Sequence, residues 1–104
     1  MEETAYIGRF APSPTGSLHF GSLIAAVGSY LQARKAEGRW LIRIEDLDPP
    51  RVVPGSEARI LEDLARFGME SDGPIVRQSD RSDAYEAALE TLDRAGLLFP
   101  CACT

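Results

Sequence analysis

The stretch from Arg9 to Gly21 constrains this chain more than any other. It reads Arg-Phe-Ala-Pro-Ser-Pro-Thr-Gly-Ser-Leu-His-Phe-Gly. An apolar run over residues 6–10 predicts a strand, and apolar residues at helical spacing begin at about Leu18. Pro12, Pro14 and Gly16 lie between them. Proline fixes φ and removes a donor, whereas glycine permits close backbone approach, so the connection is a stiff, shaped turn. It delivers His19 and Gly21 to a helix N-terminus, where free N–H groups and the helix dipole favour anions. Strand, rigid turn, helix start and imidazole together predict a phosphate-binding corner.

The rest of the chain alternates strand, helix, strand, helix, helix, strand, a pattern that predicts a parallel α/β sheet. The first helix carries Phe20, Leu23, Ile24, Val27, Tyr30 and Leu31 at i, i+3, i+4, i+7 spacing. Its other surface is kept small by Ala25, Ala26 and Gly28, which predicts packing on more than one side, and Gly38 closes the segment. Residues 40–44 predict a second strand, and residues 46–55, with three prolines, a loop. Ser56 opens a second helix with an apolar stripe at Ile60, Leu61, Leu64 and Phe67, stopped by Gly68. After a turn at residues 72–74 and an extended piece at 75–76, Asp80 or Ser82 caps a third helix. That helix bears Tyr85, Ala88, Leu89 and Leu92 on one face and ends at Gly96. Residues 97–101 predict a further strand. The sequence then stops without turn, cap or charged tail, so the expectation is one part of a longer domain.

Bulk properties narrow the classes. The chain has 104 residues, enough for one domain or part of one, and 44% are hydrophobic. The net charge of −5 argues against a general nucleic-acid-binding surface, which is normally basic, without excluding a local tRNA contact. Residues 1–4 are acidic and lack the apolar region of a secretory leader, and no stretch reaches transmembrane length. Two cysteines separated by one residue make no disulfide framework. A reducing, cytoplasmic setting without membrane attachment is the expectation.

His19 is the single histidine, which removes His-rich metal sites. Its plain reading is a helix-start residue satisfied by local backbone. Its functional reading is a donor that follows charge onto a phosphate during displacement. Arg9 and Glu45 lie at the carboxyl ends of the first two strands, where open parallel sheets bind ligands. If those strands are neighbours, the two side chains face one crevice, either as a structural ion pair or as holders of an amino acid. In the second case Arg9 takes a carboxylate in bidentate fashion and Glu45 an ammonium. Cys101 and Cys103 alone read as a chance pair of thiols. A nucleophilic role for Ser13 or Ser17 has no Asp orienter and no Gly-x-Ser-x-Gly turn to support it.

The run from Arg9 to Gly21 resembles the signature of the glutamyl branch of class I aminoacyl-tRNA synthetases. His19-Phe20-Gly21-Ser22 stands where that class carries His-Ile-Gly-His, with Ser22 departing at the fourth position. Arg43-Ile44-Glu45-Asp46-Leu47-Asp48-Pro49-Pro50-Arg51 is similar to the branch's Arg-Ile-Glu-Asp-Thr-Asp element. Leu47, Pro49-Pro50-Arg51, the segment 28–34, Arg77-Gln78-Ser79-Asp80-Arg81 and Phe99-Pro100-Cys101-x-Cys103 more closely resemble a paralogous group within it. That group transfers glutamate to queuosine, the modified wobble base of tRNA(Asp), without an anticodon-binding domain.

The resemblance implies the N-terminal half of a doubly wound, Rossmann-like catalytic domain spanning residues 1–104, with a zinc-binding insertion beginning at 101–104. It implies activation of glutamate by ATP with Mg2+, and a monomeric full-length protein. It places glutamate on Arg9, Phe10, Ala11, Pro12, Ser13 and Glu45, ATP on His19 and Gly21, and the chemistry on His19, Gly21 and Ser22. Cys101 and Cys103 would be half of a Zn2+ site whose other ligands lie beyond Thr104. The 104-residue chain alone is expected to be inert. The rival readings are an ordinary glutamyl-tRNA synthetase fragment, a nucleotidyltransferase and a truncated binding module.

Overall fold

The computed structural model describes residues 5–103. Three parallel strands lie in the order β1-β2-β3: β1 Ile7–Phe10, β2 Arg39–Ile44 and β3 Val76–Arg77. Helix α1 (Phe20–Lys35) connects β1 to β2, and α2 (Ser56–Arg66) connects β2 to β3. Short 3₁₀ turns occupy Pro49–Arg51 and Gln78–Arg81, and α3 (Ser82–Arg94) follows the second. Two parallel strand–helix–strand units sharing β2 make one half of a doubly wound sheet.

The strands alternate. Gly8, Phe10, Trp40, Ile42 and Ile44 are buried and share one core with Ala26 and Ala33 of α1 and Ile60 and Leu64 of α2. Full burial of Ile44, Ile60 and Leu64 contributes about 1.5–3 kcal/mol apiece. The pleat sets Ile7, Arg9, Leu41 and Arg43 on the opposite face. Trp40 anchors the core. It lies edge-on to Tyr30 at 5.2 Å and donates from Nε1 to Ser29 Oγ at 3.0 Å.

The face that α1 turns to the sheet differs from the expected one. Its small residues Ala26 and Ala33 are fully buried, while Phe20, Ile24, Val27 and Leu31 are exposed. A Cβ on Gly8 would lie 3.4 Å from both Ala33 Cβ and Ser29 O. Helix and strand are therefore too close for a large side chain between them. Leu23 and Tyr30 flank this contact and pack against the core.

Three further expectations are corrected. Residues 97–101 form no strand, and Leu97 and Phe99 are exposed, because no strand edge lies alongside them among the described residues. Phe67 is exposed because it is the C-cap of α2, past the buried stripe. The N-cap of α3 is Arg81, with no side-chain cap from Asp80 or Ser82.

Candidate active site at the start of helix α1

The turn between β1 and α1 is built by alternation. Pro12 and Pro14 are buried, whereas Ser13 and Thr15 point to solvent. The turn and the first turns of α1 enclose a cavity of about 290 Å3, walled by Phe10, Ala11, Pro12, Ser13, His19 and Ser22 among others. Six residues expected from sequence thus come together, whereas Arg9, Gly21 and Glu45 stand outside that wall.

His19 is the N-cap of α1. Its Nδ1 accepts from the Ser22 amide at 3.1 Å, and its Nε2 lies 2.9 Å from Ser22 Oγ. A neutral ring that accepts at Nδ1 carries its proton on Nε2, which donates to the hydroxyl. His19 is exposed, and both it and Ser22 line the cavity. Gly21 provides the clearance, since a Cβ there would sit 3.1 Å from His19 Cε1 and 3.2 Å from Nδ1.

β1 and β2 are neighbours, in the register Arg9 to Leu41 and Phe10 to Ile42. The structural Arg9–Glu45 ion pair does not form. Glu45 Oε1 instead accepts from Arg43 Nη2 at 3.1 Å, and Arg9 makes no ion pair among the described residues. The Arg43 pairing has a sequence signal that the reading above missed. Residues 43 and 45 alternate with the apolar 42 and 44, so they share a face. Arg43 Nε is buried without a partner, so the guanidinium engages only at its outer nitrogen.

The next residue is anchored separately. Asp46 accepts from the Ser79 amide at 2.9 Å and from Ser79 Oγ at 2.6 Å. Burial pushes the Asp46 carboxyl up, but the Ser79 hydroxyl and amide, Asp46's own backbone and the Arg77 charge outweigh it and hold the group below its ordinary range. Arg77 itself forks onto Glu57 at 2.6 and 2.9 Å. The motif from Arg77 to Arg81 thereby fixes the segment after β2 against the end of β3.

Cys101 and Cys103 are free and exposed, and the Cys103 amide donates to Cys101 Sγ at 3.4 Å. That contact holds the Cys101 thiol below its ordinary range. A structural zinc takes four ligands. No group of three or more His, Cys, Asp or Glu able to hold a metal occurs among the described residues, so these two thiols do not make a complete site.

Comparison with known proteins agrees with this geometry. Residues 7–104 match the family described as tRNA synthetases class I (E and Q), catalytic domain. The chain is 61% identical over 104 residues to glutamyl-Q tRNA(Asp) synthetase of Escherichia coli K12, covering 100% of this chain and 34% of that protein. The same-named protein of Yersinia pestis is 60% identical over 103 residues, covering 99% and 32%. The chain thus spans about a third of the length of these relatives. Among solved structures, it is similar to a glutamate tRNA ligase from Elizabethkingia meningosepticum in complex with its amino acid. The TM-score is 0.81 at 43% identity, over 88% of this chain and 20% of that one. The glutamate-tRNA synthetase of Elizabethkingia anophelis gives a TM-score of 0.83 at 42% identity, over 88% and 20%.

Proposed function

We propose, from the premise that this chain belongs to the catalytic-domain family of class I tRNA synthetases (E and Q), that it forms the glutamate-activating corner of a ligase that charges queuosine of tRNA(Asp). The observation that carries the reading is the cavity at the carboxyl end of β1, roofed by the start of α1. The glutamate α-carboxylate attacks the ATP α-phosphate, and pyrophosphate leaves. Negative charge grows on the phosphate oxygens during the displacement, and fixed donors stabilise it without reorganising. The free N–H groups at the start of α1 are those donors, and the Nε2 proton of His19 joins them by turning from Ser22 Oγ to the phosphate. Arg9 and Glu45 hold the two charged ends of glutamate, with Arg43 orienting Glu45. Mg2+ would arrive with the ATP and neutralise charge on its phosphates, and Cys101 and Cys103 would supply two of the four ligands of a structural zinc.

The queuosine target is supported by the printed names of the 60–61% identical relatives. The solved neighbours named as glutamate-tRNA enzymes, at 42–43% identity, support the nearest rival. No described helix is long and apolar enough to cross a membrane.

The test uses a chain of the relatives' length containing this sequence. Glutamate-dependent ATP–pyrophosphate exchange is expected, with charging of tRNA(Asp) only when it carries queuosine. Charging of tRNA(Glu) instead would establish the rival, and exchange without glutamate dependence would reject both.

A further inference from the structure

The wall of the cavity is braced from outside by one later segment. The Glu45 amide donates to the Pro12 carbonyl and the Val53 amide to the Pro14 carbonyl, each at 2.9 Å. Ser56 completes the series. Its hydroxyl donates to the Gly16 carbonyl at 2.6 Å and accepts from the Gly16 amide at 3.0 Å. Pro12 and Pro14 have no N–H, so only their carbonyls are open to such a brace. Every second residue of the turn is therefore tied, and the tie at Gly16 is double.

Ser56 is not doing what a serine at a helix start usually does. Such a hydroxyl normally caps the amides of its own helix. Here the N-cap of α2 is Gly55, with no side-chain bond, and Ser56 reaches a residue 40 positions away. It is 4% exposed, the one buried polar side chain among the described residues. Gly16 sits at φ 145°, a backbone state that L side chains rarely adopt. Gly16 lines the cavity, whereas Ser56 does not.

We infer that Ser56 is a positioning residue: through Gly16 it fixes the shape of the turn and hence the placement of His19 and Ser22 against the reacting phosphate. This rests on the glutamate-activating reading above, but its structural half is testable without it.

Ser56→Ala keeps the volume and removes both bonds. In the 104-residue chain, amide hydrogen exchange at Gly16 is expected to quicken about tenfold. The Cε1–H resonance of His19, unambiguous because the chain has one histidine, is expected to move. In a chain of the relatives' length, kcat for pyrophosphate exchange is expected to fall about 10- to 100-fold, the range for misplacement by a change away from the chemistry. The glutamate KM should stay within about threefold. Should Ser56→Ala fail to fold, Ser56→Cys provides the same readouts. Unchanged Gly16 exchange or an unmoved His19 signal overturns the inference, as does loss of Gly16 protection with kcat intact. If the unsubstituted long chain shows no glutamate-dependent exchange, the functional reading fails, and the Gly16 and His19 signals alone decide whether Ser56 positions the turn.

Discussion

Gly21 leaves no room for a methyl group without moving a ring. A Cβ there would press on His19 at 3.1–3.2 Å, tighter than ordinary contact. Gly21→Ala should therefore turn the imidazole away from Ser22 while leaving the fold intact, because alanine favours a helix over glycine. In a chain of the relatives' length, pyrophosphate exchange should drop roughly tenfold, about 1.4 kcal/mol of lost transition-state stabilisation. The melting temperature should hold or rise. Unchanged exchange would show that the ring position does not matter. The sequence marks His19 and Gly21 as close neighbours at a helix start, and the proline turn makes the corner legible. The fold-back of the ring onto Ser22 was not legible, because a rotamer is selected by local clearance and no spacing encodes it. Arg9 and Glu45 show the same limit. Their strands could be paired from the pattern, yet the partner of Glu45 proved to be Arg43, two residues away on the same face.

All three helices end in the same way. The amide two past the C-cap bonds back to the third-last helical carbonyl, as Gly38 to Ala33, Met69 to Leu64 and Leu97 to Leu92. The residue between is left-handed in each case: Glu37 at φ 53°, Gly68 at 80° and Gly96 at 71°. This is the Schellman arrangement, which favours glycine at that place. Glu37 is the exception, because the glycine of α1 is needed one residue later. A Cβ at position 38 would lie 2.2 Å from the Tyr6 carbonyl oxygen. Glu37→Gly should then stabilise the chain by roughly 0.5–1 kcal/mol, the relief of left-handed strain less the added freedom of the unfolded chain. Urea unfolding measures it, and a destabilised variant would show that Glu37 carries an unrecognised contact. Helix ends at Gly68 and Gly96 could be read directly from sequence for this reason, whereas Gly38 closed α1 through a steric demand of the strand beside it. The choice of face on α1 was illegible because a large apolar stripe usually marks the buried side. Here close packing on Gly8 selected Ala26 and Ala33 instead.

As a whole molecule the chain is a plate. Its radius of gyration is 16.5 Å and its extents are 46 × 44 × 21 Å, whereas a compact domain of this size has a radius near 13 Å. Its accessible area of 7845 Å2 exceeds the roughly 5,700 Å2 of a compact monomer of 11.3 kDa. The excess includes the exposed stripe of α1 and the Leu89 and Leu92 face of α3. The 104-residue chain should accordingly bind a hydrophobic dye and self-associate with rising concentration, measurable by fluorescence and sedimentation. A monomer that binds no dye would contradict this reading of its surfaces.

One clamp ties the plate together. Asp72 accepts a fork from Arg34 at 2.6 and 2.9 Å and the Trp40 amide at 2.8 Å. The Arg34 bonds, then the Trp40 amide, hold its carboxyl down to about 2. A group bound more tightly as carboxylate when folded contributes fully above the unfolded value near 3.9, and the contribution fades as pH falls toward about 2. Asp72→Asn should lower the melting temperature at pH 7, and its curve should converge with the parent's near pH 2. Parallel curves down to pH 2 would place the acid sensitivity elsewhere.

The double tie between Gly16 and Ser56 also has a consequence in time. A chain is made from its amino end, so the turn at residues 12–16 leaves the ribosome before any residue that braces it. Forty positions separate the two partners, which at roughly 5–20 residues per second is a wait of about 2–8 s. Until Glu45 emerges, only the prolines and the bond from the Thr15 amide to the Ser13 carbonyl keep the nascent turn in shape, and the corner is fully braced only after the second helix has begun to emerge.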